Sequence, residues 1–335
     1  MQQFVCLYVS SRKIALLYNS DDNASALAIF RPDSATPTNG VVPFATFIQK
    51  DSVLTGTDFA YDESLKKAPG AFFELFSLNN SDPNVERLRI STTDIPSIAL
   101  KAYLANAVSE VYSAEIDSIK SELPVLLVFT NDVESIKRNS TLDWFKRDGF
   151  SNISMMDFEN ELLGTFQLST DFACTVISDG SDVATSLYIR QSRDLLSSRI
   201  MAGAGTDPRV KIGTDLLWKS LDNTGYLLFE HELPILQKCV TDFIVSEKPL
   251  FDKELELSDE KMHAAYLDRS EIERKANSEN GLAPHFRSFL SNEQVKASDV
   301  SLVLCESSET ATLLSTTFSK EYPEVISVTS RQWLD

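Results

Sequence analysis

Twice in its 335 residues the chain presents the same opening order, and that repetition limits its architecture more than any other feature. Residues 4–9 (FVCLYV) and 14–18 (IALLY) are apolar runs joined by the polar SSRK, and ALAIF comes next at 26–30. From Asp171, DFACTVISDGSDVATSLYIRQSRDLLSSRIM repeats it: strand, short polar turn, strand, strand. Apolar runs separated by so short a turn pair as β-hairpins. A chain that starts on hairpins lacks the early strand–helix alternation of a Rossmann sheet.

Each hairpin leads into α/β material. After the proline-dense loop 31–40, VVPFATFIQKDSVLTG (41–56) reads as two short strands and TDFAYDESLKKAP (57–69) as a helix. Residues 91–116 form a strong helix, with Thr92, Thr93 and Asp94 as candidate caps and Pro96 in the first turn. Its apolar residues Ile95, Ala99, Ala102, Val108, Val111 and Tyr112 fall largely on one face. LPVLLVFT (123–130) is a buried strand, 132–149 an amphipathic helix closed by Gly149, 150–157 a strand and 159–168 a helix. This order suits parallel pairing. In the second half, GTDLLWKSLDNT (213–224) opens a helix, and the charged stretch 251–281 reads as largely helical. A strand (299–307), a helix (308–323) and a strand (324–330) close it. The expectation is an α/β protein of two similar lobes, 1–168 and 169–335, facing a cleft near residue 170. Each lobe is a mixed sheet led by hairpins, and the second carries a helical insert around 245–290.

Bulk properties exclude some function classes. With 43% hydrophobic residues the chain can bury two large cores. A net charge of -18 argues against nucleic acid and anionic membranes as partners. The N-terminus has no basic start, and no apolar run approaches the roughly 20 residues of a spanning helix, so a cytoplasmic protein is expected. Cys6, Cys174, Cys239 and Cys305 are far apart, three of them in apolar runs, as reduced buried cysteines are. His231, His263 and His285 show no ligand spacing, and no zinc site is expected. AGAGTD (202–207) lacks the rest of a phosphate motif, and no G-x-S-x-G elbow occurs. The acids Asp252, Glu254, Glu256, Asp259 and Glu260 read as a solvated face near a helix start.

The order of elements resembles the ATPase domain of the heat-shock-70 chaperone family, within the actin-like and sugar-kinase-like ATPase superfamily. The likeness is carried by residues 35–62, with Pro43, Gly56 and Ala60 in matching places, and by the helix of 91–112. The strand–helix–strand run 123–159 and the glycine-led IGTDLLWKSL (212–221) extend it. The resemblance implies a two-lobed, ribonuclease-H-like fold in which two hairpin turns grip the phosphates of ATP. It also implies an acid in each turn to hold hydrated magnesium.

On that resemblance the residues of a vestigial nucleotide cleft are Ser10, Ser11, Asp179, Gly180, Ser181, Asp182, Gly213 and Thr214, ahead of Asp215. The chemistry has changed at most of them. Tyr8 stands where the family has its first acid and Ser10 where it has glycine. Ser178 replaces the second acid, Asp179 is offset by one place, and Asp182 lies where glycine is usual. Leu75 falls near the catalytic lysine, the family's later acid aligns with Phe158 or Glu159, and LCESSET (304–310) replaces the adenosine-contacting glycines. Tyrosine, with a pKa near 10, is a poor ligand for a hard cation.

The resemblance therefore implies a pseudo-ATPase without cofactor that works through a protein partner, as a scaffold or chaperone-like protein. Two alternatives stay open. One is an ATPase or nucleotide-gated switch that holds ATP and magnesium through Asp179, Asp182 and Ser11; the other is an actin-like polymerising protein. VISDGSDVAT (176–185) can also be a plain hairpin whose polar residues only make a turn. The family's peptide-binding domain comes after segments that this sequence does not reach, so peptide clamping of that kind is not expected.

Overall fold

The computed structural model describes residues 4–19, 27–30, 42–49, 52–55, 68–79, 83–179, 182–201, 208–222, 226, 232–246, 248–257, 259, 261–276, 282–306, 315 and 318–329. The fold is α/β, with mixed sheets and flanking helices. The chain divides into two compact units, with the break between Phe166 and Gln167.

In the first unit the strands are β1 (Val5–Val9), β2 (Lys13–Asn19), β3 (Leu27–Ile29), β4 (Val42–Pro43), β5 (Thr46–Gln49), β6 (Ser52–Thr55), β7 (Ala71–Phe72), β8 (Val125–Phe129) and β9 (Ile153–Asp157). The helices are α1 (Pro83–Leu88), α2 (Ile95–Tyr112), α3 (Ile116–Ile119), α4 (Ser135–Arg147) and α5 (Phe158–Gly164). The main sheet runs β3-β2-β1-β8-β9, with β4 also paired to β2. Antiparallel pairing joins β1, β2 and β3, while β1, β8 and β9 are parallel. The unbroken apolar sequence of β1 reflects its central place, where every residue is buried. Strands β6-β5-β7 form a separate small sheet.

Helix α2 packs Ile95, Ala99, Leu100, Tyr103, Leu104, Ala107 and Val108 into this core. Of the face expected from sequence, Ala102, Val111 and Tyr112 are only half-buried. Asp94 occupies the cap position without a side-chain cap bond. Gly149 does close α4: its φ of +102° is a left-handed conformation, and Phe150 N–H bonds back to Phe145 O at 3.1 Å.

The second unit repeats the pattern. Its strands are β10 (Phe172–Asp179), β11 (Asp182–Ile189), β12 (Leu195–Met201), β13 (Leu250–Glu256), β14 (Met262–Asp268), β15 (Val300–Glu306) and β16 (Glu324–Thr329). Its helices are α6 (Pro208–Asp222), α7 (Leu233–Val245), α8 (Arg269–Ala276) and α9 (Leu282–Asn292). The sheet β12-β11-β10-β15-β16 has the order and strand directions of the first, antiparallel through the hairpins and parallel beyond. One core lies on this sheet, with Phe286, Phe289 and Phe318. Another joins α6, α7 and α8 to β13 and β14.

The stretch 251–281 corrects the sequence reading: instead of being largely helical, it begins with an antiparallel hairpin, β13 on β14. Only Phe251 and Leu255 of β13, and Ala265 and Leu267 of β14, are buried, so one face packs and charges crowd the other. Helix α6 starts five residues before Gly213. The expected helices over 57–69 and 308–323 lie mostly outside the described residues. Among the described residues no helix is long and apolar enough to cross a membrane.

Candidate functional site at the end of the first sheet

Parallel strands β1, β8 and β9 finish in register, with Val9 beside Phe129 and Phe129 beside Asp157. The carboxyl ends of parallel strands are where α/β proteins gather their binding loops. Here three segments meet: the turn Ser10–Lys13, the link Thr130–Val133 and the start of α5.

The donors of the turn are taken up within the chain. Ser10 is buried, its N–H donates to Lys13 O at 2.9 Å, and its Oγ accepts from Lys13 N–H at 2.9 Å and Arg12 N–H at 3.3 Å. Ser11 donates to Asp132 Oδ2 from its N–H at 3.0 Å and from its Oγ at 2.6 Å. The other oxygen of Asp132 accepts from Thr130 Oγ1, and Thr130 N–H donates to Val9 O at 3.1 Å. The amides of Ser11, Arg12 and Lys13 therefore all point at oxygens of the chain itself. An incoming anion would have to displace a carboxylate held by charge-assisted bonds.

Tyr8 is buried at the end of β1, and its ring stands edge-on to Phe158 with centroids 5.3 Å apart. Beside it Glu159 has no exposed surface. Its Oε1 accepts from Asn131 N–H at 2.8 Å, while Oε2 is buried with no hydrogen-bond partner among the described residues. Burial pushes its pKa up to about 8; the negative charges of Asp157 and Asp132 push the same way, and the Asn131 bond opposes them. Glu159 is thus mostly a neutral acid at pH 7. Arg138 of α4 ties the link to α5. Its Nη1 pairs with Asp157 at 3.2 Å, Nη2 donates to Asn131 Oδ1 at 2.8 Å, and Nε donates to Val133 O at 2.6 Å. Asp157 also caps α5 through Asn160 N–H at 2.8 Å.

Phe158 and Glu159, alternatives in the sequence, both turn inward here, one against Tyr8 and the other beneath Asn131. Leu75 is buried in a short 3-10 turn. Its neighbour Glu74, at φ 48°, reaches Arg12 with a separation of 3.2 Å. Sequence reasoning does not single out Asn131, Asp132 or Arg138. For the first two the signal is a T-N-D run at the end of a buried strand, with Asp132 legible only as the first residue of the expected helix; Arg138 reads only as a charge on that helix.

The remaining candidates belong to the second unit. β10 and β11 pair Ser178 with Val183 and Asp179 with Asp182, while Gly180 and Ser181 lie outside the described residues. Gly213 lies inside α6, where a Cβ would stand 2.5 Å from Val240 Cγ1 of α7; only glycine lets these helices approach so closely. Thr214 is buried and donates its hydroxyl to Val210 O at 2.8 Å within the same helix. Asp215 is exposed. Leu304 and Cys305 are buried in β15, and residues 307–310 and 202–207 lie outside the described set. None of the four cysteines, all among the described residues, forms a disulfide, and His263 meets Asp259 at 2.9 Å. Among the described residues no group of three or more His, Cys, Asp or Glu side chains is arranged to hold a metal. Neither a protein-family model nor a curated protein matches this chain.

Proposed function

We propose that this chain is a heat-shock-70-like protein of the actin-like ATPase fold whose first phosphate turn has been closed by its own side chains. On this reading it hydrolyses no ATP and works by binding protein, as a scaffold or chaperone-like partner. Two sheets of one strand order, each led by a hairpin, support the kinship. The observation that carries the loss of function is the bond of Asp132 to both donors of Ser11.

The neighbouring changes support it. Tyr8 is packed on Phe158, where an aspartate would have to be solvated by a hydrated cation. Leu75 is part of the core rather than a charged group reaching toward phosphate. The competing ATPase reading needs the hydroxyl of Ser11 on a phosphate oxygen, and that hydroxyl is engaged. Steady-state phosphate release from ATP–magnesium tests the proposal. The expected rate equals that of a buffer blank; turnover proportional to protein concentration would favour the ATPase reading.

A further inference from the structure

The hairpin β13–β14 carries an exposed face whose composition does not fit a surface meant only for water. Leu250, Asp252, Glu254 and Glu256 share that face with their cross-strand partners Asp268, Tyr266, Ala264 and Met262. The opposite face is the buried one, with Phe251, Leu255, Ala265 and Leu267. A one-sided sheet is ordinarily polar outside. Here Leu250 is 47% exposed, Met262 55% and Tyr266 49%, three large apolar residues on a single small face.

Over three of the four pairs charge is sorted between the two strands; the end pair, Leu250 with Asp268, is reversed. Asp252, Glu254 and Glu256 line β13, while Met262, Ala264 and Tyr266 line β14 beside them. Lys253, the cation of β13, belongs to the other face, its Nζ 5.8 Å from the Phe251 ring. Among the described residues, the contacts between charged groups here join Arg269 to Glu273 and Lys275 to Glu271, His263 meets Asp259, and no ion pair joins the three acids of the row.

We propose that this face docks an amphipathic helix of a partner protein, with a Lys/Arg stripe over β13 and an apolar stripe over β14. The proposal rests on the protein-binding reading above and names the chemistry of the partner. Acids on alternate strand positions recur every ~6.8 Å, and strands lie ~4.8 Å apart. Lysines four apart on a helix recur every ~6 Å, so three can track the acid row while the adjacent stripe covers Met262 and Tyr266. Tyrosine and methionine are also residue types enriched in protein interfaces.

The test uses the full chain and a synthetic helical peptide of leucine, alanine and lysine carrying those two stripes, with a scrambled peptide of equal composition as comparison. Affinity is measured by fluorescence anisotropy at ~150 mM salt, where bulk attraction between opposite charges is screened beyond ~8 Å. Two variants divide the face: Met262→Ser with Tyr266→Ser, and Asp252→Asn with Glu254→Gln and Glu256→Gln. A third, Glu110→Gln with Glu122→Gln and Glu293→Gln, removes equal charge elsewhere. Each face variant is expected to weaken binding of the striped peptide by about tenfold or more, as loss of interface anchors does. The third variant should leave it within about twofold. Equal loss from the third variant, no loss from the Met262/Tyr266 variant, or equal affinity for the scrambled peptide would overturn the proposal. Phosphate release on the same samples separates the readings. Turnover with intact peptide binding would sink only the pseudo-ATPase reading, and lost specificity without turnover only the docking face.

Discussion

Replacing Glu159 with glutamine isolates the consequence of burying a carboxyl with one oxygen unbonded among the described residues. Glutamine keeps an oxygen for Asn131 N–H and has the shape of the neutral acid. In the folded protein Glu159 titrates near 8, against an ordinary value of 4.5. Its folded pKa is raised, so between these values the folded state holds a proton that the unfolded state has released. The stability it confers is complete below pH 4.5 and is lost as pH climbs through 8. The slope is at most about 1.4 kcal/mol per pH unit, which gives roughly 3 kcal/mol between pH 5 and 7.5. Glu159→Gln removes this term and leaves every other titrating group in place. Urea unfolding of parent and variant at half-unit steps from pH 5 to 8.5 measures the difference. The variant should gain on the parent steadily as pH rises and level off above the folded pKa. A difference that stays flat across this range would show that Glu159 is already ionised, and the account of its burial would fall.

Other substitutions probe the same edge and the helix packing. Asp132→Ala leaves Ser11 N–H and Oγ without their acceptor and should lower stability by about 1–3 kcal/mol in the same assay. Gly213→Ala drives a methyl against Val240 and should cost about 1–3 kcal/mol, with Val240→Ala restoring part of it in the double variant. Tyr8→Asp buries a carboxylate against Phe158 and should destabilise by several kcal/mol. Paired with Ser178→Asp it should still yield no phosphate release, because catalytic groups act as a unit and Leu75 remains.

How much the sequence disclosed depended on whether a local pattern had one physical reading. Val5–Val9 and Val125–Phe129 are apolar throughout because both faces of a central strand are buried, and such runs announce themselves. Gly149 marks a helix end because left-handed backbone there demands it. Leu250–Asp268 resembles a solvated helix in sequence because so few of its residues are buried, which leaves a charged exterior. At the candidate site, Tyr8 and Leu75 are visible as departures from a resembling pattern. Asp132 is not, since an acid that begins a helix and an acid that seals a turn have the same sequence signature. The one-place ambiguity at Phe158 and Glu159 sits at a strand–helix junction, where alternation stops and both side chains can go inside.

The measurement that bears most directly on the closed turn is a thermal melt with and without millimolar ATP–magnesium. A ligand at about 100 times its Kd stabilises the folded state by roughly 2.7 kcal/mol, a shift of several degrees for a domain of ordinary size. With Asp132 holding both donors of Ser11, the melting temperature should not move on addition of the nucleotide. A rise of several degrees that requires both ATP and magnesium would contradict the account.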